Sequence, residues 1–225
     1  MNEISKQKKI RFIELALILS VAFLPFFLRN LFIHLNLYSI NTSINVRFFI
    51  DGITKITYVA LLFYILFRQG RSIKDIGFSF SWRDIFRAII IFVIIIIILF
   101  FYSLLFKLIT GRPPSVPQHV DIFVGKITII YFVAMIINPF FEELILRAYL
   151  MCEIEFLLNS KTIAIIASVI IQTLGHLYEG FVAMGSLALI FLFFSLYFSR
   201  YKRIMPIIIA HAILDIGVML SSGKF

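Results

Sequence analysis

Residues 88–106 read AIIIFVIIIIILFFYSLLF. These nineteen residues hold one serine and no charge. A helix needs about 20 apolar residues to cross a hydrocarbon core of roughly 30 Å, so this stretch is a membrane span. The rest of the chain is of the same kind. Of its 225 residues 61% are hydrophobic, and the mean hydropathy is +1.03. A soluble domain is usually about 45–50% apolar, and a chain this short cannot enclose so much apolar surface in one core. The sequence therefore specifies an all-α, polytopic transmembrane helix bundle.

Outward from 88–106, eight apolar elements can be drawn, at roughly 12–33, 46–67, 86–108, 121–138, 139–157, 161–177, 184–199 and 204–220. There is no internal repeat and no separate soluble domain. Residues 1–110 form N-terminal transmembrane helices and residues 111–225 a second helical core, in one integral membrane unit. The longest polar connection runs from Arg68 to Arg87 and includes Arg71, Lys74 and Arg83. Pro113, Pro114 and Pro117 break the chain between spans, because proline has no backbone donor. Asn138–Pro139 predicts a further break, splitting the stretch 121–157, which as one helix would be about 55 Å long. At the N-terminus a basic stretch (Lys6, Lys8, Lys9, Arg11) leads into an apolar run to about Phe32. It lacks a small-x-small cleavage site and reads as a retained anchor helix.

The net charge is +9. The basic residues lie mainly between apolar runs, which is the membrane pattern, and they form no continuous basic domain, so nucleic acid is not an expected partner. The single cysteine, Cys152, excludes an intrachain disulfide. Eight crossings with a cytoplasmic N-terminus put ten basic residues inside and nine outside. Seven crossings, with 139–157 as an interfacial extension, move Lys161, Arg200, Lys202 and Arg203 inside and Lys224 outside, so charge counting prefers seven. The polar residues argue for eight. Glu142 near the start of one element and His176 near the end of the next reach the same depth in a hairpin of two crossings. Eight is therefore the expectation, in the plasma membrane of a prokaryote, with seven as the alternative.

An ionisable side chain at the centre of a span costs about 2.5–3.5 kcal/mol on insertion scales, so it faces the bundle interior and has a task. Three groups qualify. The first spans Asn138 to Arg147. On a helix Glu143 and Arg147 are four apart and share a face, while Glu142 points about 100° away. Arg147 can neutralise Glu143 and leave Glu142 free to exchange a proton with water. The structural alternative is an acidic pair at a helix N-terminus, stabilised by the macrodipole. The second group is Gln172-Thr173-Leu174-Gly175-His176, where Gly175 allows close helix approach. The third pairs His211 with Asp215, four apart inside the last apolar element. His34 and His119 sit in connections and read as bland. Glu14, Glu153, Glu155 and Glu179 lie near element ends, where headgroups and water solvate them. Asp51 and Lys55, four apart in the second element, read as a structural ion pair.

Glu-Glu-x-x-x-Arg, a histidine on the next helix and His-x-x-x-Asp on the last helix together resemble the CPBP intramembrane proteases. This is the family of type II CAAX prenyl endopeptidases and of bacteriocin-processing and bacteriocin-immunity (Abi) proteins. The resemblance covers roughly residues 120–220. The first 110 residues match only as hydrophobic helices. It implies that Glu142 activates water with help from His176, that Glu143 and Arg147 support the site, and that His211 and Asp215 stabilise the oxyanion or orient the attacked carbonyl. The chain departs from the family pattern at Leu146-Arg147-Ala148, where Phe-Arg-Gly is common. It departs again at Gln172, often Phe, and at Asp215, frequently Asn. An ionised aspartate cannot donate to an oxyanion, so Asp215 is either protonated or orients His211.

The resulting expectation is an intramembrane endopeptidase acting on a membrane-associated peptide or protein within the lipid bilayer, with no cofactor required. Two histidines and a carboxylate are also a set that zinc uses, although no His-Glu-x-x-His is present. If zinc or another divalent metal is bound, its ligands would be Glu142, His176 and His211. Two rivals differ in kind. One is a non-proteolytic immunity or scaffolding protein that keeps the polar cluster to bind a peptide or partner. The other is a small transporter in which Glu142, Glu143, His176, His211 and Asp215 relay protons or ions.

Overall fold

The computed structural model describes residues 3–34, 44–114 and 129–221. Within these the chain is helical, as expected of an all-α bundle. Helix α1 runs Glu3–Ala22 and α2 Leu24–His34. They meet at Phe23, inside the expected element 12–33, because Pro25 has no N–H to offer the carbonyl of Val21. Backbone bonds from Phe23 to Leu19 and from Phe27 to Phe23 keep the two nearly continuous. Helix α3 is Ile44–Arg68 and α4 is Arg83–Thr110. Helix α4 contains residues 88–106 and is closed by Gly111, whose left-handed N–H bonds the Lys107 carbonyl.

Helix α5, Ile129–Glu142, runs through Pro139 into a π-helical stretch, Glu143–Tyr149, and on into α6, Leu150–Leu158. The expected break at Asn138–Pro139 is absent. Together these 30 residues form one rod, about 45 Å long. Proline removes only its own donor to the Met135 carbonyl, a loss that packed membrane helices tolerate. The wider π register follows within one turn, marked by the Leu150 N–H reaching the carbonyl of Ile145, five residues back. The expected elements 121–138 and 139–157 are therefore a single element from Ile129 onward; residues 121–128, like His119 and Lys224, lie outside the described residues. Helix α7, Lys161–Gly175, is capped by the Ser160 side chain accepting from the Ile163 N–H at 3.3 Å. A short 3₁₀ turn, Leu177–Glu179, leads to α8, Phe181–Tyr201, and then α9, Met205–Ser221.

With α1–α2 and α5–α6 each counted once, the described residues form seven rods, not eight. Helices α3 and α9 pack on α5, α9 on α4, and α7 between α6 and α8. The shared core holds Leu62, Leu66, Ile91, Ile95, Leu144, Phe191 and Phe194. Among the described residues four stretches are long and apolar enough to cross a membrane, namely Glu3–Leu28, Phe48–Arg68, Arg83–Thr110 and Phe181–Tyr201. Helix α4 turns Ile90, Phe100, Leu105 and Leu108 outward, a surface that only lipid or a partner would cover.

One end of the bundle collects the basic residues. Arg11 and Arg71 both bind the buried Glu153, Lys8 bonds the Leu157 carbonyl, Lys202 bonds Glu155, and Arg203 bonds the buried Asp84 through two contacts of 3.0 and 2.6 Å. Glu153 and Glu155, expected to be solvated, are instead partners in these bonds. The start of α1, the 69–82 connection and the turns after α6 and α8 thus share one face. Ser72 closes the turn before Ile76, and its backbone and hydroxyl bonds hold the Asp75 carboxyl below the ordinary range. On the same face Phe80, Trp82 and Phe86 are exposed.

Candidate active site

The two glutamates after Pro139 enter the π-helical stretch facing apart, as their spacing predicts. Glu143 is fully buried. One of its oxygens accepts from Arg147 Nη1 at 2.5 Å and the other contacts His211 Nδ1 at 2.7 Å. The guanidinium of Arg147 lies 5.3 and 5.1 Å from the ring centres of Phe191 and Phe194. Those faces attract a cation, and its remaining nitrogens Nε and Nη2 have no hydrogen-bond partner. The pair is therefore complete electrostatically but only partly hydrogen-bonded. Ser168 Oγ donates to the Leu146 carbonyl at 2.8 Å, serving a backbone acceptor that the change of helical register displaces.

Glu142 points the other way. It is 5% exposed, its Oε2 accepts from Gln172 Nε2 at 2.8 Å, and the nearby charges that act on it are His176, His211 and Lys55. It lies in the wall of a cavity of about 280 Å³. Apart from Phe141, the rest of that wall comes from the first half of the chain, including Phe23, Pro25 and Phe26 near the α1–α2 junction, and Asp51, Thr54, Lys55 and Tyr58 on α3. Phe141 stacks on Phe23 at 5.4 Å and leans on Tyr58 at 5.9 Å. N-terminal helices that carry no family motif thus build most of the space beside Glu142.

His176 follows α7 directly, and its Nδ1 contacts Glu179 Oε1 at 2.7 Å. Glu179, read from sequence as a solvated end residue, is thus its partner. Gly175 lets α7 approach α2, since a Cβ there would come within 3.1 Å of the Phe26 ring. Antiparallel α6 and α7 bring Glu142 and His176 to one depth without the extra crossing. His211 Nε2 lies 3.6 Å from Asp215 Oδ1, as the four-residue spacing predicts. The Phe191 ring lies 5.4 Å from that of His176 and 6.4 Å from that of His211.

All six expected site residues thus gather on α5–α6, the end of α7 and α9. No three His, Cys, Asp or Glu side chains converge as a metal-holding group among the described residues. In the suggested ligand set of Glu142, His176 and His211, each histidine turns Nδ1 to a carboxylate, Glu179 for His176 and Glu143 for His211. Three further participants escaped the sequence reading. Gln172 and Asn138 opened two of the polar groups but were given no role beyond a departure from a pattern and a break, and Lys55 stood as half of an ion pair. That pair exists, at 2.5 Å, but Lys55 also bonds Asn138 Oδ1 at 2.6 Å.

Residues 124–217 match the family model of the type II CAAX prenyl endopeptidase Rce1-like proteins. Neither a curated protein nor a solved structure matches the chain. The matched segment holds all three motifs and agrees with the CPBP resemblance they carry. Over residues 124–217 the chain is therefore similar to the Rce1-like protease family, within a protein whose apolar helices are long enough to cross a membrane.

Proposed function

We propose that the protein is an intramembrane endopeptidase that hydrolyses a peptide bond of a membrane-associated peptide or protein, with Glu142 as the base. One observation carries this reading. Of two adjacent buried glutamates, Glu143 is occupied on both oxygens, whereas Glu142 is held by a single amide and borders a cavity. The apolar wall of Phe23, Pro25, Phe26 and Tyr58 suits a substrate arriving from the bilayer.

In this mechanism Glu142 takes a proton from water while the resulting hydroxide attacks the substrate carbonyl carbon. His211 is oriented by Glu143 at Nδ1. Its Nε2–H, held only loosely by Asp215 at 3.6 Å, turns to the carbonyl oxygen as that oxygen gains charge. The C–N bond then breaks, and the proton held by Glu142 passes to the leaving amine. His176, anchored by Glu179, assists Glu142 from the end of α7. Asp215 acts here as the orienting group of His211, which removes the need for it to donate.

The test is cleavage of candidate membrane peptides by the reconstituted protein, read by mass spectrometry. Glu142→Gln is expected to slow hydrolysis by about 10²–10⁴-fold, the range for loss of a general base. A Glu142→Gln protein with full biological activity would hand the case to a binding or immunity role. Ion flux in liposomes without cleavage would favour transport. A parallel series with a chelator tests whether a divalent metal takes part.

A further inference from the structure

Gln172 donates through Nε2 to Glu142 Oε2 at 2.8 Å. An ionised carboxylate only accepts, so it fixes the amide in this orientation and leaves the amide oxygen, Oε1, as an acceptor. Gln172 is 2% exposed, and its Oε1 has no hydrogen-bond partner among the described residues. A buried acceptor without a donor is destabilising and uncommon. The charged groups around it are engaged elsewhere. Arg147 Nη1 is on Glu143, Lys55 donates to Asp51 and Asn138, and His176 and His211 turn Nδ1 to Glu179 and Glu143. Beside Oε1 stands a carboxylate of which Gln172 engages one oxygen, Oε2. Two acceptors held side by side repel unless a donor lies between them. Water carries two O–H donors and answers both, and two polar partners are enough to hold it. The wall of the cavity includes Glu142 but not Gln172, which puts this water on the α7 side of the carboxylate. Gln172 also lies four residues before His176 and shares its face of α7.

We propose that Gln172 is a further catalytic residue: together with Glu142 it holds the water to be deprotonated, one O–H on the carboxylate and the other on Gln172 Oε1. The inference rests on the peptidase reading above. With both hydrogens engaged, the lone pairs of the water are left for the scissile carbonyl. As one proton passes to Glu142, the hydroxide keeps its second hydrogen bonded to Gln172 Oε1, and the freed electron pair forms the bond to the carbonyl carbon. Gln172 stands where the family pattern often has Phe, a side chain with no such acceptor.

The first experiment is a crystal structure of the full wild-type chain grown in lipid, at a resolution that shows ordered water. A water peak is expected within about 2.5–3.2 Å of both Gln172 Oε1 and a Glu142 oxygen. Ordered Gln172 and Glu142 with no peak between them, or a protein donor on Oε1, overturns the proposal. The second uses any peptide that the wild type cleaves and Glu142→Gln does not. Gln172→Met keeps the length of the side chain and removes both ends of the amide. It should lower kcat by about 10²-fold, the scale of a misplaced reacting group, with KM unchanged. Unchanged kcat in folded Gln172→Met overturns the proposal. A rise in KM alone assigns Oε1 to a substrate N–H and overturns it as well. If Gln172→Met does not fold, the water peak in the wild type decides. If Glu142→Gln still cleaves, the peptidase reading fails, while the peak continues to judge the water site.

Discussion

Arg147 has no exposed surface and answers a carboxylate that has none either. Removing one member of such a pair leaves the other charged in a site without water, at a cost of about 3–5 kcal/mol. Arg147→Met is accordingly expected to lower unfolding stability in detergent by that amount. Glu143→Leu/Arg147→Met should regain part of it, because the pair then strands no charge of its own, while His211 Nδ1 loses its carboxylate. A double variant less stable than Arg147→Met would show that the Glu143–His211 contact outweighs the ion pair. At this scale the sequence is legible wherever partners lie one helical turn apart. Glu143 with Arg147, His211 with Asp215, and Asp51 with Lys55 are all pairs that spacing gives. Gln172 with Glu142 and Lys55 with Asn138 are not, since 30 and 83 residues separate them and only packing brings them together. Glu179 with His176 is within reach of the same rule, but the end of an apolar run suggests solvation instead.

Among the elements, the rod through Pro139 shows why a break expected from sequence does not form. A proline reads as a helix end when water can take the freed carbonyl; inside a packed bundle the helix continues. The seven-residue π stretch behind it escapes any reading based on a period of 3.6. The 69–82 connection offers a sharper test. Gly77 has a φ of +80°, and a Cβ there would lie 2.5 Å from the Lys202 carbonyl oxygen, while its own carbonyl accepts from the Ile204 N–H at 3.1 Å. Gly77→Ala therefore combines left-handed strain with a backbone clash at the α8–α9 turn. Strain of this kind costs about 1–3 kcal/mol, so a lower thermal midpoint is expected. A Gly77→Ala protein as stable as wild type would mean that the turn moves freely against the connection.

For the whole molecule, composition alone is enough to give a membrane helical bundle, but the number of rods is not. Charge counting prefers seven and the shared depth of Glu142 and His176 points to eight; antiparallel α6 and α7 satisfy both. The positive-inside rule predicts that the basic end described above faces the cytoplasm, with Arg112 beyond the far end of α4. Single cysteines placed at Lys9, Lys74 or Arg200 in a Cys152→Ala background should react with an impermeant thiol reagent from one side of the membrane, and one at Arg112 from the other. Labelling of Lys74→Cys and Arg112→Cys from the same side would contradict this orientation.

Trp82, three-quarters exposed beside the basic residues at the start of α4, is the chain's sole indole. Its fluorescence therefore reports a single depth with no background to subtract. In vesicles of brominated phospholipid, bromines high on the acyl chain should quench it more than bromines near the methyl end, as for a ring lying in the interfacial belt. The protein thus carries its own gauge of where the bilayer surface meets the bundle.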